Sequence, residues 1–312
     1  MNYSEQSAWK EIQKFLPAKY HFTKEFSPTE EWWDWNGNKI HLDCFRNPKA
    51  KAKVIMLHGV GTNGRQLSMI LGGPLAKSGL EVIALDMPTY GLTQVKKGAL
   101  ISYDDWVQCG NDYIEQERAR DNRPIFLYGL SAGGMETYHI AAKNKKVRGI
   151  IGMTFLNQAD QRVRDATTRN IIMSRVAIPM TKILCKLGLG RMKMKMNFAS
   201  KMSALCNDEK AMRVFLRDKT SAGNSATMKF LESYCYPPAS TRPEDFAVCP
   251  ILLTQPEKDR WSPLNLSEPF LDRIKKVPVD IVVLMNGGHY PVEEPALTQM
   301  HTAIMSFVSN NI

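Results

Sequence analysis

The sequence predicts an α/β fold in which a mostly parallel sheet carries helices on both faces and an inserted segment forms a helical cap. Short apolar runs alternate with polar segments of helix length, which is typical of parallel strands buried on both faces. The runs cover residues 54–57, 82–85, 125–128 and 149–153. The alternation stops near residue 157 and resumes at 251–254 and 279–284, which indicates one core around an insertion.

Three elements flank these strands. Residues 4–16 have apolar side chains at helical spacing, and Pro17 ends the predicted helix. A β-hairpin is expected over 31–45, because the dipeptide Asn36-Gly37 separates two strand-like segments and tolerates positive φ. Residues 294–308 have the amphipathic pattern of a final helix.

We therefore predict a core made of residues 1–156 and 248–312, and a cap made of residues 157–247. The cap sequence has helical patterning throughout, over 160–186 with a bend at Pro179, and over 211–216 and 226–234. No internal repeat is evident.

The composition excludes several classes of protein. With 44% hydrophobic and 23% charged residues, the chain is an ordinary globular protein rather than a disordered one. No apolar run approaches the about 20 residues that a membrane span needs, and the first residues do not resemble a secretory signal. Six cysteines without a Cys-x-x-Cys pair suit reduced thiols, so a cytoplasmic location is expected.

The net charge of +10 is concentrated in the predicted cap, where 16 basic residues face 8 acidic ones. This segment is poor in aromatic residues, so no nucleic-acid partner is expected. It is rich in methionine, and Met192, Met194 and Met196 alternate with lysines. Flexible thioethers suit apolar ligands of varied shape, and the basic side chains leave open a peripheral contact with an anionic membrane surface. A cap that packs only on its own core explains the pattern equally well.

Ser131 is the candidate nucleophile. It stands in Gly129-Leu130-Ser131-Ala132-Gly133, directly after a predicted strand and directly before a predicted helix. In that context Gly-x-Ser-x-Gly makes a sharp turn that exposes the hydroxyl at the sheet edge, beside the positive end of a helix.

A serine hydroxyl needs a base, and the base needs an orienting acid. His289 is the candidate base, because it lies in a glycine-containing loop directly after the last strand. Asp259 and Glu257 compete for the role of the acid in the loop after 251–254, and we favour Asp259. The order serine, acid, histidine is the one expected for this scaffold.

The tetrahedral oxyanion needs two N–H donors. The amide of Ala132 is one candidate, since it starts the helix beside the nucleophile. The loop that follows residues 54–57 supplies the second, and Val60 is the best candidate there.

These residues together resemble the α/β-hydrolase superfamily over nearly the whole chain outside the cap. His58-Gly59-Val60-Gly61 is similar to the oxyanion loop of that family, and residues 86–91 are similar to the next turn, with Thr89 in place of the usual glycine. Residues 257–263 resemble the acid loop, which strengthens Asp259. A serine at the elbow argues against dehalogenase chemistry.

The capped, basic, methionine-rich form resembles lipases and esterases that act on acyl chains. The overall chain also resembles bacterial serine-type N-acyl homoserine lactone hydrolases of quorum quenching. This resemblance implies a small-molecule acyl ester or lactone as substrate, cleaved through an acyl-enzyme. A general carboxylesterase or monoacylglycerol lipase, and a non-catalytic ligand-binding protein on the same scaffold, are the alternatives. No metal-ligand cluster or dinucleotide fingerprint is evident, so no cofactor is expected.

Overall fold

The computed structural model describes residues 2–237 and 241–312. Eight strands form one sheet in the order β1-β2-β4-β3-β5-β6-β9-β10. β1 pairs antiparallel with β2, β2 pairs antiparallel with β4, and the remaining neighbours are parallel. These strands are β1 (Thr29–Trp35), β2 (Asn38–Phe45), β3 (Lys53–Leu57), β4 (Glu81–Leu85), β5 (Ile125–Gly129), β6 (Gly149–Gly152), β9 (Ile251–Pro256) and β10 (Val279–Leu284). The predicted α/β fold with a mostly parallel sheet is confirmed.

The helices pack around this sheet and in the segment between β6 and β9. They are α1 (Ala8–Gln13), α2 (Gly64–Leu67), α3 (Gly73–Lys77), α4 (Tyr103–Arg120), α5 (Ala132–Asn144), α6 (Gln161–Thr167), α7 (Ile178–Lys186), α8 (Met196–Ala199), α9 (Glu209–Arg217), α10 (Met228–Cys235), α11 (Glu268–Leu271) and α12 (Ala296–Asn310). Two π-helical turns, Ser68–Gly72 and Met173–Ala177, lead directly into α3 and α7. No helix among the described residues has the length and apolar character that crossing a membrane requires.

The central strands are the most deeply buried part of the chain. Every residue of β3, β4 and β5 is buried, because helices cover both faces of the sheet. Burial on both faces explains why these segments are apolar without interruption. Their carboxyl ends meet at one sheet edge, where the loops that follow β3 and β5 approach each other.

The segment between β6 and β9 is not entirely helical, so that prediction was wrong. Two short strands, β7 (Lys193–Lys195) and β8 (Ser225–Thr227), pair antiparallel. The predicted helix over 160–186 is also interrupted, since α6 ends at Thr167 and helical structure resumes only before the π-helical turn. Pro179 lies just after the π-helical turn, within one continuous helical segment, where it cannot donate an intrahelical hydrogen bond.

The two terminal helices also differ from their predicted bounds. The predicted helix over 4–16 is instead a 3₁₀ turn (Tyr3–Glu5) followed by α1, because the chain leaves the helical conformation at Gln6. The final helix starts at Ala296 and continues to Asn310.

A buried charge cluster ties the amino-terminal segment to the loops at the carboxyl edge of the sheet. Asp86, directly after β4, accepts hydrogen bonds from the hydroxyl of Tyr3 and from the backbone N–H groups of Gly64 and Leu92. His41 Nδ1 lies 2.9 Å from Asp86 Oδ2, and His41 Nε2 lies 2.8 Å from Glu30 Oε2. Burial alone would lower the pKa of His41, but these two carboxylates raise it to about 9.

The turn after β4 carries a strained backbone. Thr89, which stands where the sequence resemblance leads one to expect glycine, has a φ of 81°. A β-branched residue is rarely found in that conformation. The inserted segment holds the turn in place, since the side-chain amide of Asn224 donates to the Thr89 carbonyl at 2.8 Å and Gly91 N donates to Thr220 O at 3.0 Å.

Candidate active site

Ser131 occupies the sharp turn between β5 and α5. Its φ of 57° and ψ of −120° are strained for any residue other than glycine. The surrounding glycines are required by close packing: a Cβ on Gly129 would lie 2.0 Å from the carbonyl oxygen of Gly133, and a Cβ on Gly133 would lie 2.3 Å from that of Leu57. The spacing Gly-x-Ser-x-Gly therefore reflects the geometry that presents this serine at the sheet edge.

His289 and Asp259 form a buried pair at the ends of the last two sheet strands. His289 Nδ1 lies 2.8 Å from Asp259 Oδ2, and both side chains are almost fully buried. The backbone N–H groups of Trp261 and Ser262 each donate to Asp259 Oδ1 at 2.8 Å. Burial alone would raise the pKa of Asp259, but the interaction with His289 and these hydrogen bonds lower it below its ordinary value. Asp259 is thus held as a carboxylate that orients the imidazole.

Ser262 is a third member of this arrangement. Its Oγ donates to Asp259 Oδ2 at 2.8 Å and lies 2.9 Å from His289 Nδ1. The Nδ1–H group is therefore shared between the carboxylate and a hydroxyl that itself binds the carboxylate.

The second ring nitrogen of His289 is unpaired. Among the residues that the structure describes, His289 Nε2 has no hydrogen-bond partner, so the bond to Ser131 Oγ that proton transfer requires is not formed here. Such bonds often tighten only when substrate is bound. The imidazole packs on the indole of Trp261, with ring centroids 4.9 Å apart, and Trp261 lines the same cavity as Ser131.

Glu257, the competing acid, contacts a different part of the loop that follows β10 and carries His289. Its Oε2 accepts a hydrogen bond from Asn286 N at 2.8 Å. The geometry therefore places Asp259, rather than Glu257, against the imidazole.

The loop that carries one candidate oxyanion donor packs on the turn that carries the other. A Cβ on Gly59 would lie 2.7 Å from the Cβ of Ser131 and 3.2 Å from Ala132 N, so the loop that carries Val60 packs directly on the elbow. In the described part of the chain, neither the Val60 amide nor the Ala132 amide donates a hydrogen bond to protein. Free N–H groups beside a nucleophile are what an oxyanion requires.

His58 fixes this loop rather than reacting. Its Nδ1 donates to the carbonyl of Gly59 at 2.8 Å, and its Nε2 accepts from Met87 N at 2.9 Å. Burial lowers the pKa of His58, which keeps the ring neutral and suits both bonds. The loops after β3 and β4 are thereby locked together.

A narrow cavity of about 40 Å³ reaches Ser131, room for a few water molecules. Ser131 and Val60 line it from the core, and side chains of the inserted segment close it. Those side chains are mainly apolar and include Ile178, Met196, Ala199 and Leu231. This arrangement can carry out nucleophilic acyl transfer on a substrate whose apolar part lies under the inserted segment.

Two contributors to the site were not predicted. Ser262 has no sequence signal, because a serine three residues after an acid is common in turns. Trp261 is adjacent to the predicted acid loop, but its contact with His289 depends on how that loop folds.

The fold and this site define an α/β-hydrolase with serine hydrolase chemistry. The family model described as serine aminopeptidase, S33, matches residues 48–296, and the chain belongs to this family. The predicted resemblance to the α/β-hydrolase superfamily is thereby confirmed.

More distant likeness extends to curated and solved proteins. Protein phosphatase methylesterase 1 of Rattus norvegicus and of Homo sapiens are each 24% identical to this chain over 132 residues, which is 41% of this chain. The chain spans about a third (34%) of the length of these relatives.

Solved structures of low sequence identity share the fold. A monoglyceride lipase from Saccharomyces cerevisiae has a TM-score of 0.76 at 13% identity, covering 95% of this chain and 98% of its own. A monoacylglycerol lipase from Paleococcus ferrophilus has a TM-score of 0.68 at 17% identity, covering 88% and 99%. The carboxylesterase CesB from Bacillus subtilis has a TM-score of 0.63 at 13% identity, covering 98% and 97%.

We predict that Ser262 positions the Asp259–His289 pair. Ser262→Ala should lower kcat about tenfold and leave KM unchanged, because the hydroxyl stabilises a charged pair without touching substrate. Steady-state kinetics on an activated ester, together with the rate of fluorophosphonate labelling, measure this effect.

Ser267→Ala is the matched control. Ser267 is buried to the same degree, and its hydroxyl accepts from Phe155 N, away from His289. An equal loss of kcat in both variants would reduce Ser262 to a general structural residue.

Proposed function

We propose that this protein hydrolyses carboxylic esters with an apolar acyl group through an acyl-enzyme on Ser131. The observation that carries the proposal is the cavity, in which Ser131 and Val60 face apolar side chains of the inserted segment. We further propose that residues 157–247 act as a cap over residues 1–156 and 248–312, and that the cap holds the acyl chain.

In the proposed reaction, His289 Nε2 removes the proton of Ser131 as Oγ attacks the ester carbonyl. Asp259 holds Nδ1 and stabilises the imidazolium that results. The Val60 and Ala132 amides bind the oxyanion. His289 then protonates the leaving alcohol, and a water molecule activated by His289 releases the acid from Ser131.

Several observations support an ester rather than a peptide. The relatives described above are a methylesterase, two lipases and a carboxylesterase by name. The family description refers to an aminopeptidase, but the described residues that line the cavity include no aspartate or glutamate to hold a free amine. We expect little aminopeptidase activity for that reason.

Opening of N-acyl homoserine lactones is the finer hypothesis within this proposal. The relatives described above give it no support, since none is named as a lactone hydrolase. The triad chemistry is the same for a lactone and a linear ester, so a substrate panel that contains both decides between them.

We expect the KM for p-nitrophenyl esters to fall about fourfold for each added methylene, since each buried methylene contributes about 0.8 kcal/mol. The fall should stop at the chain length that fills the cavity. Kinetics from acetate to long-chain esters, with acyl homoserine lactones in parallel, measure this series.

Ala199→Leu tests where the acyl chain lies. Ala199 lines the cavity and is buried, so the larger side chain should move the plateau to shorter chains. Ala204→Leu, outside the cavity lining, is the control and should keep the wild-type plateau. A KM that does not change with chain length would contradict the proposed acyl pocket.

A further inference from the structure

One helix of the cap has an exposed apolar row. The π-helical turn Met173–Ala177 and α7 form a continuous helical segment. Five apolar residues follow one another at spacings of four, four, three and four residues, which puts their side chains on one face. The first precedes this helical segment by one residue and the last follows it by one residue. They are Ile172, Val176, Met180, Ile183 and Leu187, with exposed fractions between 42% and 68%, and we call them the outer row.

The opposite face of the same helical segment is buried. Ser174, Ile178 and Thr181 are almost completely inaccessible to solvent, and Ile178 lines the cavity that reaches Ser131. A single helical layer therefore separates this cavity from the outer row.

The chain segment that carries the outer row contains charged residues of one sign only. Residues 166–207 contain eight lysines and arginines and no aspartate or glutamate, whereas the rest of 157–247 has eight of each sign. The whole positive excess of the cap thus lies in the segment that carries the outer row. Arg175, Lys182 and Lys186 follow the helix at spacings of seven and four residues, as a basic row.

Two of these three cations also have contacts within the protein. Arg175 pairs with Asp165 at 2.8 Å, and the Lys182 ammonium lies over the ring of Tyr236. Their side chains, with that of Lys186, belong to exposed residues. More exposed cations, Arg191, Lys193 and Lys195, follow the end of α7.

We propose that the outer row docks on the surface of an anionic lipid bilayer, with its apolar side chains between the headgroups and the basic row at the level of the phosphates. Helices that lie in a membrane interface combine an apolar face with lysine and arginine on the polar face. Basic side chains near such a surface add electrostatic attraction. A second copy of this chain fits less well, because it would bring like charges together.

This docking would place the proposed ester hydrolysis at a membrane surface, but it does not depend on that activity. The outer row would lie in the interface while Ile178, on the other face of the same helix, contacts the acyl cavity. Apolar esters dissolved in the bilayer would then reach Ser131 without crossing bulk water.

Vesicle co-sedimentation of the whole 312-residue chain tests the proposal. The assay uses Ser131→Ala, so that vesicle binding is measured without turnover. Vesicles are phosphatidylcholine alone or mixed with phosphatidylglycerol. We expect binding to the mixed vesicles at low salt, weaker binding to phosphatidylcholine alone, and a decrease as added salt screens the charges.

The variant Val176→Gln/Ile183→Gln/Leu187→Gln should bind mixed vesicles at least about tenfold more weakly, because it removes three inserted apolar side chains. Its thermal unfolding should match that of the parent, since all three positions are exposed. The matched control Ile281→Gln/Val283→Gln/Met285→Gln changes three other exposed apolar residues at the sheet edge and should bind like the parent.

Several results would overturn the proposal. One is no sedimentation with mixed vesicles at low salt, and another is equal binding by the outer-row variant. A concentration-dependent dimer that the outer-row variant abolishes would assign the face to a second copy instead. If the wild-type protein binds mixed vesicles but hydrolyses no ester, only the proposed enzymatic function is refuted.

Discussion

Ser131→Ala should abolish labelling by a fluorophosphonate probe and lower kcat for ester hydrolysis by about 10⁴-fold or more, as for other serine triads. The reason is that Ser131 Oγ is the proposed attacking atom, and no second nucleophile takes its place at the elbow. Gel fluorescence of the labelled protein and steady-state kinetics measure the two effects.

Ser200→Ala provides a matched control within the same cavity. Ser200 also lines the cavity, but its hydroxyl is bound to the Met196 carbonyl at 2.8 Å. This variant should still be labelled. Labelling that persists in Ser131→Ala would remove Ser131 from its proposed role.

Asp259→Asn should lower kcat by about 10⁴-fold, while Glu257→Gln should have little effect. An asparagine keeps the shape of the side chain but no longer holds Nδ1 as the protonated nitrogen, so Nε2 is no longer available as the base. The two variants change one acidic loop in the same way, which makes each the control of the other. The reverse ranking would give the orienting role to Glu257.

The main sheet could be predicted because buried parallel strands have a recognisable pattern in the local sequence. The apolar runs that became β3, β4, β5 and β6 are unbroken, since both faces of the sheet are covered there. β9 and the edge strand β10 were recognisable from shorter apolar stretches, although β10 contains Asp280 and is largely exposed. The first hairpin could also be predicted, because the dipeptide Asn36-Gly37 favours the positive φ that its turn requires. The two residues have φ values of 49° and 79° in the structure.

The small sheet formed by β7 and β8 was missed for a physical reason. Met192 to Met196 alternate with lysines, a period of two that is compatible with a strand, but β7 has only three residues and its partner β8 lies about thirty residues later in the chain. A strand this short is defined by its partner, which the local sequence does not identify.

The sequence predicted those site residues that directly follow a recognisable strand. Ser131, Asp259 and His289 all follow strands with a clear pattern. Ser262 and the contact of Asp86 with Tyr3 depend on loops meeting in space. No spacing in the chain records such contacts.

The insertion of a long segment between β6 and β9 has a consequence for synthesis of the protein. Ser131 and the loop that carries Val60 precede the insertion, whereas Asp259 and His289 follow it. A chain that grows on the ribosome therefore contains the serine long before it contains the acid and the base. Because amino-terminal parts of a protein generally fold first, the part that carries Ser131 can fold before the acid and the base are synthesised. The nascent enzyme should therefore remain catalytically silent until β9 and β10 complete the edge of the sheet.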